Sequence, residues 1–118
     1  MSKHLGEFEQ LLLFAILRLG DEAYGVALRQ EIESRAGRSV AIGAIYTALS
    51  RLERQGLVSS RLGAETPTGR GRPRKYYRLE PAGAEALQRA YRALLQISEG
   101  MEPELGKLVS RGPAGKRA

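Results

Sequence analysis

Arg70, Arg72, Arg74, Lys75 and Arg78 crowd into the stretch "RGRPRKYYR", with no acidic residue until Glu80. A guanidinium group keeps its charge at any ordinary pH, and its planar fork binds phosphate through two parallel hydrogen bonds. A second set lies upstream, where Gly43, Ala44, Thr47, Ser50, Arg51 and Arg54 recur at helical spacing and share one face. The first two turns of that face are small and uncharged, which lets a helix approach another surface closely. Thr47 suits a base-edge contact through its hydroxyl or methyl, the alternative being a solvated helix residue. Tyr46 can reach a phosphate with its hydroxyl or serve as a half-buried packing residue. Gly43 allows close backbone approach near a helix N-terminus, where amides favour phosphate. Arg51 and Arg54, further along, suit phosphates better than bases. Arg70, Arg72, Arg74 and Lys75 form the strongest contact set as a group. The chemistry is recognition of a polyanion.

Catalytic chemistry has little to work with. The single histidine, His4, lacks neighbours of metal-ligand spacing, and there is no cysteine. Glu7 and Glu9 fall at a helix start, where acids are favourable in any case. "GRGRP" lacks the Lys-Ser/Thr ending of a phosphate-binding loop. Ser59 and Ser60 have no base at hand. No enzyme, catalytic residue, metal or cofactor is expected. The net charge of +6 over 118 residues instead favours nucleic acid or an anionic surface. The longest apolar run, "LLLFAIL", ends at Arg18 and falls short of the roughly 20 residues that cross a bilayer. No signal peptide is visible, and no helix pairs a cationic face with exposed large apolar residues. A cytoplasmic location without membrane contact is expected.

The elements that would position these residues follow from periodicity. Phe8, Leu11, Leu12, Ala15, Ile16 and Leu19 make one helical face, closed by Gly20, with Asp21 placed to cap the next helix. A second helix spans roughly 23–36, with Tyr24, Leu28 and Ile32 on one stripe, and residues 38–40 suit a very short strand. A third helix, 41–55, carries Ile42, Ile45, Leu49 and Leu52 inward and stops at Gly56. The period then changes to two. Residues 57–62 and 75–79 read as paired strands, with Tyr77 and Leu79 on one face and Tyr76 and Arg78 on the other. The segment between them, 63–74, is far longer than the usual 2–5 residues of a hairpin loop. Its glycines, prolines and arginines cannot be buried, so it must project.

Three helices followed by such a hairpin is the order of a winged helix-turn-helix. The fold class is mainly α with a small β-hairpin, in which the third helix meets the DNA major groove and the hairpin is the wing. The segments "LGEFEQLLLFAIL", "YGVALRQEI", "GAIYTALSRLERQGLVSSRL" and "GRPRKYYRLEPAGAEAL" resemble the PadR family of bacterial transcriptional regulators over residues 5–87. The resemblance implies a dimeric repressor that binds double-stranded DNA and is often relieved by a small molecule. Where the family commonly has Thr after the wing strand, this chain has Glu80; Pro81 still suits a first helical position.

The resemblance also implies pairing through a C-terminal dimerisation helix. Leu87, Tyr91, Leu94, Ser98, Met101, Leu105 and Leu108 form a heptad-like seam, interrupted by Gly100, Pro103 and Gly106. One helix to about residue 99 is expected, then a kink or a short second helix from Pro103. Leu87, Tyr91, Leu94 and Leu95 are the expected homodimer contacts, the alternative being a helix folded back on its own core. The division is a DNA-binding unit at 1–80, the dimerisation region at 81–109 and a basic tail at 110–118. Following the family, a possible effector is small, apolar or aromatic, and would sit in an interface lined by Tyr91, Leu94, Phe8 and Leu12. The competing function is a winged-helix protein-interaction module whose basic wing meets an acidic partner.

Overall fold

The computed structural model describes residues 4–63 and 73–112. Helix α1 spans Glu7–Leu19. Its start is held by Glu9, whose carboxylate accepts the Gly6 N–H at 2.9 Å. Glu7 and Glu9 in the first turn and Arg18 in the last both suit the helix dipole. Leu12, Leu13, Ala15 and Ile16 are buried, so the inner face is wider than periodicity alone marks out.

A single 3₁₀ turn, Gly20–Glu22, leads to α2, Gly25–Ala36. This junction differs from expectation. Asp21 does not cap α2; Tyr24 stands at the cap position, extended and without a side-chain capping bond. Tyr24 is extended and Ala23 sits in a tight turn, with the Tyr24 N–H donating to the Glu22 carbonyl at 3.0 Å, and the wing engages the backbone of both. Tyr77 N–H donates to the Ala23 carbonyl at 2.8 Å, and Tyr24 forms an antiparallel bridge with Tyr76. Residues 38–40 form no strand. Val40 packs against the core, and its N–H donates to the Glu33 carboxylate at 3.4 Å.

Helix α3 spans Ile42–Arg54 and buries Ile45, Ala48, Leu49 and Leu52. Strands β1, Val58–Leu62, and β2, Lys75–Leu79, pair antiparallel, from Val58 opposite Leu79 to Leu62 opposite Lys75. Tyr77 turns into the core with Leu79 beside it, as the alternation requires. Helix α4 spans Pro81–Ser98 and opens with its proline in the first turn, where a missing N–H costs nothing. Its first half packs on α1 and places Leu87 in the core. Gly100, with φ of 78°, breaks the helix, and α5 follows at Glu102–Arg111 with Pro103 in its first turn. The expected break after residue 99 and the short second helix are both present.

All the helices except α5 contribute to one apolar cluster with the two strands. From Tyr91 to Arg111 every residue is exposed, so the second half of α4 and all of α5 form an arm outside that core. Of the basic tail expected at 110–118, residues 110 and 111 are helical, and 113–118 lie outside the described residues.

Candidate nucleic-acid interface

The inner residues of α3 lock it against the core, and the 3.6-residue period then turns Gly43, Ala44, Tyr46, Thr47, Ser50, Arg51 and Arg54 outward. All seven are exposed. The one acid of α3, Glu53, is directed to the wing instead. It accepts the Ser60 hydroxyl at 2.6 Å and lies 3.9 Å from Lys75 Nζ. The outward face therefore carries positive charge without an acid of its own.

The expected contacts on α3 are not equivalent. Arg51 Nε lies 3.5 Å from the Glu9 carboxylate, which ties it to α1 at the rim of the face. Arg54 has no ion pair among the described residues, so its guanidinium needs no exchange of partners to meet a phosphate. Tyr46 combines both of its expected roles. It is 45% exposed, yet its hydroxyl end sits so close to Gly25 that a β-carbon there would lie 2.4 Å from it. A larger residue at position 25 would displace that ring from its present position.

The base of the wing stands next to this contact. Arg74 lies 4.3 Å from the centre of the Tyr24 ring, and Tyr24 meets Tyr76 edge to face at 5.6 Å. Arg61 lies 4.8 Å from the Tyr76 ring. A side-chain hydrogen bond with Tyr76 and the neighbouring Tyr24 phenol push the Arg74 pKa upward, so its charge is secure. Tyr24, Gly25, Tyr46, Leu62, Arg74 and Lys75 line an open cleft of about 570 Å³ between α3 and the wing. Arg70 and Arg72 lie outside the described residues.

Tyr24 and Arg61 escape sequence reasoning. Periodicity assigns Tyr24 to the stripe of a helix, whereas pairing with a strand distant in sequence holds it extended. No local signal marks that pairing.

The expected dimer contacts divide. Tyr91, Leu94 and Leu95 are exposed on the arm, but Leu87 is only 3% exposed and packs inside the protomer. The heptad spacing cannot tell these apart, because one stripe of α4 serves first the core and then the arm. The expected ligand lining also changes. Leu12 has no exposure at all, and Phe14 is the aromatic that meets Tyr91, edge to face at 5.6 Å. Leu11, Phe14 and Ile32, with the charged Arg18, Glu31 and Arg35, line an open cleft of about 350 Å³ beside it. No helix among the described residues is long and apolar enough to cross a membrane.

Residues 13–89, which run from α1 through the wing into α4, match the model of the transcriptional regulator PadR-like family. The chain belongs to this family. The PadR-like match makes it a DNA-binding transcriptional regulator and not an enzyme. It is 41% identical over 78 residues to the transcriptional regulator Rv3488 of Mycobacterium tuberculosis, covering 66% of this chain and 68% of that protein. Among solved structures it resembles the PadR-like transcriptional regulator BC4206 of Bacillus cereus, with a TM-score of 0.68 and 26% identity over 83% of this chain and 90% of that one. A PadR family transcription regulator from Clostridium difficile R20291 superposes with a TM-score of 0.65 at 28% identity, covering 83% and 98% of the two chains.

Proposed function

We propose that this PadR-like regulator is a repressor that acts as a homodimer on a palindromic operator and is released by a small apolar or aromatic effector. The observation that carries the reading is the shared surface of an acid-free helix face and a cationic wing base, Arg74 and Lys75, on either side of one cleft. In this reading α3 enters the major groove. Thr47 meets a base edge, Gly43 permits the close approach, and Tyr46 and Arg54 meet phosphates, with Arg51 at the rim. Arg70, Arg72, Arg74 and Lys75 follow the flanking backbone. A positively charged wing suits a narrowed minor groove, where negative potential is strongest.

The dimer is supported by the arm. Tyr91, Leu94, Leu95, Ile97, Leu105 and Leu108 are large apolar side chains that the described residues leave exposed. Helices shorter than about 12–15 residues are marginal alone in water, and α5 has ten. A second copy would supply the missing cover, and a two-fold pair of recognition helices would read half-sites about 34 Å apart. Effector binding is supported by the Phe14–Tyr91 edge, beside which a cleft combines apolar walls from Leu11, Phe14 and Ile32 with the charged Arg18, Glu31 and Arg35. The reading includes a cytoplasmic location.

Selection of bound duplexes from a random pool, repeated with planar aromatic ligands, tests all of this together. Inverted half-sites about one turn apart, lost on adding one ligand, are the expected result. Recovery of no enriched sequence would overturn operator recognition. An enriched sequence that no ligand releases would overturn the effector alone.

A further inference from the structure

Tyr24 and Gly25 open α2, and together they touch both DNA-facing elements. Gly25 receives the Tyr46 ring from α3, and the Tyr24 ring lies between Tyr76 and Arg74 of the wing. We propose that Tyr24 is a positioning residue for DNA binding, whose ring holds Arg74 in the orientation in which the wing base meets the phosphate backbone. The proposal rests on the reading of the wing as a DNA contact.

Three observations carry it. The first is that Tyr24 is itself fixed. Its backbone bridges Tyr76, and the preceding carbonyl accepts the Tyr77 N–H. The second is continuity, because Arg61 lies over Tyr76, Tyr76 meets Tyr24 edge to face, and Arg74 lies over Tyr24, a ring pair flanked by a cation at each end. A ring face attracts a guanidinium through its quadrupole, so the ring pair restricts Arg74 without consuming its charge. The third is the contrast with Lys75, which lies near Glu53 and must loosen that contact to meet a phosphate. Arg74 has no ion pair among the described residues. An oriented but unneutralised cation loses less freedom on binding than a solvated one, which favours affinity. Tyr24 is also half-buried and outside the apolar cluster, so its ring is not required to fill the core.

The test is a double-mutant cycle on the full chain, read by binding to an operator duplex from the selection. Tyr24→Phe keeps the ring and is expected to bind like the wild type. Tyr24→Leu is expected to weaken binding about two- to fivefold, the range for an exposed cation–ring contact. In an Arg74→Ala background, Tyr24→Leu is expected to change nothing further. An equal loss in both backgrounds would show that Tyr24 acts on the fold and would overturn the proposal, as would an unchanged affinity in the single variant. Should Tyr24→Leu fail to fold, NMR of the wild type decides. The Arg74 Hε signal is expected to carry an upfield ring-current shift that persists in the DNA complex; its loss on binding would overturn the proposal. Wild-type protein that binds no duplex removes the DNA reading itself, whereas normal binding with an additive cycle removes only the role of Tyr24.

Discussion

A methyl group on Gly83 would lie 2.1 Å from the Leu57 carbonyl oxygen and 2.8 Å from Leu79 Cδ1. The first turn of α4 is thereby pressed against the backbone that leads into β1. The same carbonyl accepts the Glu80 N–H at 3.0 Å, so neither partner can yield easily. Gly83→Ala should destabilise the fold by about 1–3 kcal/mol, the usual range for overpacking. Urea denaturation reads this as a lower midpoint, and an unchanged midpoint would mean that α4 slides freely on the wing. Tyr77 offers a second test. Burial, then the Glu53 charge and Tyr46, raise its pKa above the ordinary tyrosine value. The folded state therefore holds this proton more tightly than the unfolded one. Its contribution to stability is complete below about pH 10 and fades as pH rises through the folded value. In a tyrosinate absorbance titration, Tyr77→Phe should delete the phase that titrates last; loss of an earlier phase would contradict the environment described.

α4 changes role halfway along its length. Its first half packs on α1 with Leu87 in the core, and its second half continues into solvent. Substitutions along one stripe should therefore have opposite consequences. Leu87→Glu buries an unpaired carboxylate and should unfold the protomer. Leu94→Glu combined with Leu105→Glu should leave the fold intact but give monomers in analytical ultracentrifugation. A dimer that survives the pair would locate the interface away from the arm. The wing makes a comparable point about elements. Ala23 and Tyr24 could have continued α2 by local preference, but the unpaired edge of β2 takes their backbone groups instead. One hydrogen bond and one bridge thus bring the start of α2 against the wing.

The whole chain carries a net charge of +6, so long-range attraction to DNA does not depend on any one contact. The affinity should fall with salt on a log–log slope of about −0.9 per neutralised phosphate. A slope near zero in fluorescence anisotropy would separate this protein from any mode that uses the basic wing. The exposed arm adds a dependence on concentration. If two copies cover each other's exposed apolar side chains, the folded dimer is stabilised by mass action and Tm should drop on tenfold dilution. An unmoved Tm across that range would indicate a protomer stable without its partner.

Much of this was legible in the order of residues. The 3.6-residue period of α1 and α3, the change to a period of two after Gly56, and the break at Gly100 each depend on neighbours close in sequence. Backbone preference and hydrophobic alternation act over that range, so the winged helix-turn-helix and the outward face with Thr47 and Arg54 could be read directly. The junction at Ala23–Tyr24, the Tyr76–Tyr24 ring pair flanked by Arg61 and Arg74, and the split of Leu87 from Leu94 could not. Each results from a contact between segments far apart along the chain, and no local pattern encodes which distant backbone or ring will arrive. The run "RPRKYYR" announced a cationic surface by composition alone. Only the tertiary structure decided that its last free arginine before the strand would rest on a tyrosine from the start of α2.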